Sequence, residues 1–484
     1  MVQGDYPKRF MIKNICCIGA GYVGGPTMSV IADRCPHLNI NVVDLNKKRI
    51  EAWNSKDLNK LPIFEPGLDE VVGNTRGKNL FFSTNVGESI KKADMVFISV
   101  NTPTKSRGIG SGEASDLSWV ESCARDVAKY AEGHTIVIEK STLPVKTAAT
   151  IKSILNSVKN SFKDTEKSFA VLSNPEFLAE GTAISDLKNP DRVLIGGEDH
   201  DAIEALANIY KSWIVDEKII RTNLWSSELS KLAANAFLAQ RVSSINSLSA
   251  FCEETGANIY EVSKAIGLDN RIGDKFLKAG PGFGGSCFKK DILNLVYLSR
   301  SLGLDEVADY WESVLQINNW QQKRIYKKIV STLFGNISNK QIGILGFAFK
   351  SNTNDFRESP AISICRDLLE ERAILKIHDP KVEAKDIEKA LENEFSDIDN
   401  CNNKKSRDQG GYFVVEKEIE KTFYNSHAVV ILTEWEEYKI IDWENFTKNM
   451  IAPSWIFDTR NVIDESDFKS NNCNIWKIGN GIKN

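Results

Sequence analysis

No apolar run in this chain approaches the roughly 20 residues a membrane-spanning helix needs, so the sequence predicts no membrane partner. Neither sign of charge is in excess. Sixty-one basic and 65 acidic residues leave a formal net charge of −4 over 484 residues, without the electrostatic footprint of a nucleic-acid binder. The opening residues, MVQGDYPKRFMIKNICCIGAG, lack the apolar stretch and small-residue cleavage site of a secretory leader. Cysteine occurs nine times but without pattern, with no CxxC pair and no histidine at ligand spacing beside one. That argues against a zinc site or a disulfide framework and for reduced thiols; the expectation is a cytoplasmic protein holding no metal. No short-period repeat is present, which removes solenoid folds.

What is there is ordinary for a globular protein: 42% apolar and 26% charged residues, in a chain long enough for more than one domain. The first part alternates apolar runs with helical patterns. NICCIGA, NINVVDLN, ADMVFISVNTP, HTIVIEKST and FAVLSNPEF read as strands of a buried parallel sheet. From about Trp225 to Ile266, and again from Asp291 to about Leu333, the pattern is helical. The third part returns to strands at NKQIGILGFAFK, AILKIHDPKV, SHAVVILTEW and SWIFDTRN, the last strand expected. The polar stretch from Asp397 to Gly411 reads as a surface loop. The expected class is therefore α/β: two Rossmann-like doubly wound lobes joined by a central long-helix region. Boundaries fall at 1–222, 223–333 and 334–484, and the long helix is a candidate oligomer contact.

Gly19, Gly21 and Gly24 form a G-x-G-x-x-G turn that follows a strand and opens a helix. Twenty residues on, at the end of a second strand, stands Asp44, placed to accept hydrogen bonds from an adenosine ribose while a pyrophosphate rests on the helix N-terminus. A carboxylate there repels a 2′-phosphate, so the motif predicts NAD rather than NADP. The strand ends SVNTPT, containing Thr102, and EKSTLPV, containing Thr142, belong to the same lobe.

A second candidate is KAGPGFGGSCFKKDILNLVYL, where a glycine-rich loop delivers Cys287 to the start of a helical pattern. Unpaired N–H groups and the helix dipole favour a thiolate there, and the glycines, Gly284 among them, admit a ligand close to the backbone. Asp291 follows one turn on, with Lys289 and Lys290 beside it. The other cysteines read as packing residues. Lys231 and Asn235 are four apart in SKLAANAFLA, which reads either as a buried ammonium and amide or as a solvated lysine and a tolerated asparagine. Glu176 and Glu180, in LSNPEFLAEGTA, read either as strand-end functional acids or as a solvated pair.

Taken together, GAGYVGGPT, FISVNTPT, SNPEFLAEGTA, SSELSKLAANAFLAQR, GFGGSCFKKD and GFAFK resemble the UDP-glucose 6-dehydrogenase family, from about Lys13 to Asn461. The resemblance implies oxidation of UDP-glucose at C6 to a carboxylate by two NAD in succession. It makes Cys287 the nucleophile, through a thiohemiacetal and a thioester. It implies oxyanion stabilisation by Lys231, proton handling by Asp291, substrate binding by Asn235, and a water held by Thr142 and Glu176. Tyr22, Val23, Thr102, Thr142, Glu176 and Lys350 join the glycines and Asp44 as cofactor contacts. Glu180, Phe276, Lys278, Gly284, Phe349, Lys350 and Arg460 line the sugar nucleotide, and Arg271 reaches a neighbouring subunit's site. Where animal members usually read FDGR, this chain reads FDTR, with Thr459. Sister activities on UDP-N-acetylmannosamine or GDP-mannose share the pattern. A two-electron hydroxy-acid dehydrogenase and a non-catalytic NAD-binding module are the readings of other kinds.

Overall fold

The computed structural model describes residues 11–141, 146–161, 167–395, 411–464 and 473–481. Thr142 and, but for Gly411, the 397–411 stretch lie outside them. The chain divides into two compact units, Met1–Ala234 with Leu293–Gly303, and Asn235–Ile292 with Leu304–Asn484.

The first unit is built on eight strands: β1 (Asn14–Ile18), β2 (Asn39–Val43), β3 (Leu80–Ser83), β4 (Met95–Ile98), β5 (His134–Glu139), β6 (Ser168–Ser173), β7 (Val193–Gly197) and β8 (Ile219–Thr222). Their order is β3-β2-β1-β4-β5-β6-β7-β8. All neighbours are parallel except β6 and β7. β4, Met-Val-Phe-Ile, is buried on both faces, which is why these strands read as continuous apolar runs rather than alternating ones. The first six strands have the order of a dinucleotide-binding fold, in which the sequence reverses direction between β1 and β4 and a ligand crevice opens at the carboxyl ends.

The second unit carries β9 (Gln341–Leu345), β10 (Ile374–His378), β11 (Tyr412–Val415), β12 (Ala428–Ile431), β13 (Ser454–Asp458) and β14 (Cys473–Lys477), in the order β11-β10-β9-β12-β13-β14. Every pair is parallel, so the same six-strand topology recurs. β14 lies beyond β13, which the sequence reading took as the last strand.

The central region is helical, as expected, but in four pieces: Leu224–Thr255, Ile259–Gly267, Phe288–Ser301 and Asp305–Thr332. Gly256 and Gly303, both at positive φ, terminate the first and third. Asn258 then caps the second, accepting the Tyr260 N–H at 2.9 Å. The 32-residue helix Leu224–Thr255 begins in the first unit and continues into the second, joining the two Rossmann-like domains.

Candidate active site

The glycine turn after β1 is built by close approach. Gly19 has φ +110°, and a Cβ on it would lie 2.2 Å from the Ser99 carbonyl oxygen; a Cβ on Gly24 would lie 2.0 Å from the Gly19 carbonyl oxygen. Both glycines are compelled by the protein's own backbone. Gly21 differs, having nothing within 4 Å of where its Cβ would stand, so the space beside it is free for a ligand. The helix that follows, Gly24–Arg34, has no side-chain cap at its N-terminus; its Gly25 and Thr27 N–H groups bond the Gly21 and Val23 carbonyls at 3.0 and 3.1 Å, and the positive end of its dipole faces the turn. The Asp44 carboxylate accepts from the Ala20 N–H at 3.0 Å, the Asn46 N–H at 2.8 Å and the Arg49 guanidinium at 2.9 Å. These bonds fix it at the end of β2 and set an arginine beside it. Thr102 is buried, and Tyr22 and Val23 are half-buried. The turn, the uncapped helix and the strand-end acid fit a dinucleotide.

At the carboxyl end of β5, Glu139 and Lys140 leave opposite faces of the sheet, as successive strand residues must. Lys140 is 3% exposed. Its ammonium donates to Glu176 at 2.9 Å, to the Asn174 side-chain oxygen at 3.0 Å and to the Tyr210 hydroxyl at 3.3 Å. Glu176 is 14% exposed. It also accepts the Phe177 and Leu178 N–H groups at 2.9 and 3.1 Å and the Thr27 hydroxyl at 3.4 Å. Burial alone would raise the Glu176 carboxyl, but the Lys140 charge and the hydrogen bonds outweigh it and hold the group below its ordinary value. The solvated-pair reading of Glu176 is thereby overturned. Glu180 does not share a helical face with it, because residues 174–179 are not helical. Lys140, Tyr210 and Asn174 were not singled out in the sequence. The one available signal was a lysine ending a buried strand in HTIVIEK.

Lys231, buried on the helix Leu224–Thr255, places its ammonium 5.2 Å from the Phe177 ring centroid. Asn235 is buried one turn on and donates to Asp291 at 2.5 Å. The solvated reading of the lysine and the asparagine fails with those observations. Asp291 is 1% exposed, and the Lys290 ammonium lies 3.6 Å from its other oxygen.

Cys287 immediately precedes the helix Phe288–Ser301, and its carbonyl accepts the Asp291 N–H at 2.9 Å. Of the eight described cysteines, six are buried, Cys473 is intermediate, and Cys287 is exposed. Three of the glycines before it are required by packing. A Cβ on Gly282 would lie 2.7 Å from Asn318, one on Gly284 2.6 Å from the Glu358 carbonyl oxygen, and one on Gly285 3.1 Å from the Phe349 ring. At Gly284 the missing side chain's space is filled by the segment 349–360, so packing by itself requires a glycine there. An ion pair from Lys289 to Glu358, 2.7 Å, ties the same two stretches.

Around that loop the second unit gathers further candidates. Arg460 donates to the Leu432 and Phe349 carbonyls at 2.9 and 3.1 Å and pairs with Glu434 at 3.2 Å. Thr459 turns its hydroxyl away, into β12, donating to the Ile431 carbonyl at 2.5 Å. The threonine thus takes a bond inside the sheet and leaves the arginine its place. The Lys350 ammonium lies 5.6 Å from the Phe349 ring centroid. Phe276, at φ +63° and exposed, has its ring 6.3 Å from Phe288, and Lys278 is exposed. Arg271, 89% exposed, is paired with Asp269 at 2.6 Å.

Three models of the UDP-glucose/GDP-mannose dehydrogenase family match the chain: the NAD binding domain over residues 13–214, the central domain over 225–320 and the UDP binding domain over 343–465. The chain is 53% identical over 459 residues to UDP-glucose 6-dehydrogenase of Bos taurus, covering 94% of this chain and 90% of the relative. It is 52% identical over 477 residues to UDP-glucose 6-dehydrogenase 3 of Arabidopsis thaliana, covering 97% of each. A solved UDP-glucose dehydrogenase from the archaeon Pyrobaculum islandicum superposes with a TM-score of 0.80 at 28% identity, over 98% of this chain and 99% of that one. A turn shaped for a dinucleotide, an exposed cysteine ahead of a helix and full-length likeness converge on one conclusion: the chain belongs to the UDP-glucose/GDP-mannose dehydrogenase family.

Proposed function

We propose that this chain oxidises UDP-glucose to UDP-glucuronate, a four-electron oxidation with two NAD reduced per sugar. The observation that carries the reading is the lone exposed thiol among the described cysteines. Cys287 stands at the positive end of a helix, one turn before an Asp291 that Asn235 holds. A primary alcohol reaches a carboxylate only through an aldehyde, which must be kept in place between the two oxidations. A thiolate does this covalently.

Gly19, Gly21, Gly24, Tyr22, Val23, Asp44 and Thr102 are assigned to the cofactor, with Thr142 and Lys350 carried over from the family resemblance. NAD, when bound, supplies the hydride acceptor. Cys287 adds to the C6 aldehyde, and loss of a second hydride equivalent leaves a thioester on its sulfur. Water hydrolyses the thioester and returns the thiol. Lys231 stabilises the oxyanions that form at C6. Asp291 handles protons, Asn235 orients Asp291 and the sugar, and Glu176 with Thr142 serves the attacking water. Arg460, Lys350, Phe349, Gly284, Phe276, Lys278 and Glu180 are assigned to the sugar nucleotide. Arg271 is assigned to the site of a neighbouring copy in a cytoplasmic homo-oligomer. The assignments follow the three stretches 1–222, 223–333 and 334–484 as cofactor, central and UDP-binding parts.

The test is Cys287→Ser in single turnover with UDP-glucose and NAD, beside UDP-N-acetylmannosamine and GDP-mannose as alternative substrates. The alcohol-to-aldehyde step needs no thiolate and should persist, while completion fails because an oxygen ester is a poorer acyl donor than a thioester. A variant that completes the oxidation at the parent rate would remove the covalent route. Preference for either alternative sugar nucleotide would move the activity within the family.

A further inference from the structure

Lys140 is a buried cation to which the mechanism above gives no task. It leaves the end of β5 and meets three acceptors: Glu176, Asn174 and Tyr210. Behind it, the Tyr210 hydroxyl donates to the Asn174 side-chain oxygen at 2.7 Å, and the Asn174 amide nitrogen donates to the Leu194 carbonyl at 2.8 Å. The arrangement is anchored in the sheet. Glu176 in turn accepts from four donors, two on each carboxylate oxygen, so it cannot rotate without losing bonds on both sides. Charged and titratable groups face it from three elements: Lys140 at the end of β5, Tyr210 at the end of the helix His200–Tyr210, and Lys231 on the helix Leu224–Thr255. Asp186 and Arg192 line the same small pocket.

We propose that Lys140, backed by Asn174 and Tyr210, is a positioning residue that fixes the Glu176 carboxylate in the orientation from which it serves thioester hydrolysis. The inference rests on the role given to Glu176 above. In that step water adds to the thioester carbon, the C–S bond breaks, and the electron pair leaves on the Cys287 sulfur. One proton of the water passes to Glu176 and on to the leaving thiolate; the other leaves the product acid for solvent. Lys140 neither gains nor loses a proton. Without its charge, only the Phe177 hydrogen bond and the Lys231 charge would oppose burial at Glu176, and its pKa would rise.

The experiment is rapid-mixing turnover of Lys140→Met with intact-protein mass, read against pH. The first hydride transfer should stay close to the parent rate. Thioester decay should slow by ~10²-fold, at the lower end of what losing a general base costs. Its acid limb should also move to higher pH than the parent's, and Lys140→Arg should recover part of the rate. Tyr210→Phe, which keeps the packing and removes one oxygen, should shift the same limb less, and it decides the matter should the methionine variant not fold. Equal loss of both hydride transfers, or decay with the parent's pH profile, overturns the proposal. If Glu176→Gln itself accumulates no thioester, the assignment of Glu176 falls and this inference with it. If Glu176→Gln does accumulate it and neither Lys140→Met nor Tyr210→Phe alters decay, this inference alone falls.

Discussion

The three glycines after β1 share a motif but not a reason. Gly24 is pressed on the Gly19 carbonyl, and no backbone atom there can yield, so Gly24→Ala should cost several kcal/mol and unfold or strand the first unit. Gly21 faces open space, so Gly21→Ala should melt with the parent yet bind NAD at least ~10-fold more weakly, a methyl group standing where the pyrophosphate must pass. Calorimetry beside NAD titration separates the two; a Gly21→Ala protein with parental NAD affinity would place the pyrophosphate elsewhere. Asp44 carries a related prediction. Its carboxylate holds Arg49 at 2.9 Å, so Asp44→Ala both removes the group that repels a 2′-phosphate and frees a guanidinium to meet one. The NAD-over-NADP preference should narrow, measured as the ratio of kcat/KM values, and equal use of both cofactors by the parent would show that Asp44 does not face the ribose. These residues were legible because spacing alone fixes a turn and an acid at the next strand end. Lys140 was not, because its partners Glu176 and Tyr210 are 36 and 70 residues away in sequence and meet it only once the sheet has formed.

At the scale of elements, the sequence reading found β1, β2, β4, β5, β6, β9, β10, β12 and β13 and missed β3, β7, β8, β11 and β14. β4 and β5 are continuous apolar runs, whereas β3 alternates exposed and buried residues over four positions and β11 is an edge strand with no buried residue. Neither carries enough pattern to stand out from its surroundings. The helix Thr147–Ser161 shows a further device hidden from sequence. Glu228, far along the chain, accepts the Lys146 and Ala148 N–H groups at 2.6 and 2.8 Å and so caps that helix from outside. Glu139 lies against Glu228. Burial, and then the neighbouring carboxylate, push the Glu139 carboxyl well above its ordinary value, so it keeps a proton where Glu228 is charged. A folded pKa above the unfolded one contributes stability in full below about pH 4, and that contribution is lost as pH rises through the folded value. Glu139→Gln keeps the neutral shape at every pH. It should match the parent in acid and exceed it by about 1 kcal/mol or more at about pH 8, read from denaturant unfolding. A variant less stable than the parent at the higher pH would show that the Glu139 charge is needed.

Across the whole molecule the same six-strand order appears twice, and so do its details. Gly346, at φ +95°, stands after β9 as Gly19 stands after β1, each with a Cβ position closed by the end of the neighbouring strand. Asp379 ends β10 as Asp44 ends β2. The likeness stops at the ligand-facing parts. Asp379 accepts from Phe347, Ala348, Lys381 and Val382 N–H groups and from the Trp435 indole, which leaves it little capacity for a ribose. The helix after β9 does not begin until Pro360, so no helix N-terminus meets the glycine turn. One lobe therefore has the dinucleotide apparatus and the other lacks it. Calorimetric titration should count one NAD per chain; a second of equal affinity would contradict the difference between the lobes.

The central claim is that one chain carries an alcohol through two oxidations without releasing the aldehyde, because Cys287 holds it. Counting NADH against UDP-glucose consumed, with excess NAD and the sugar limiting, tests this most directly. The account predicts two NADH per sugar and UDP-glucuronate as the product, with no free aldehyde trapped by a carbonyl reagent. One NADH per sugar, with the aldehyde recovered in solution, would contradict it.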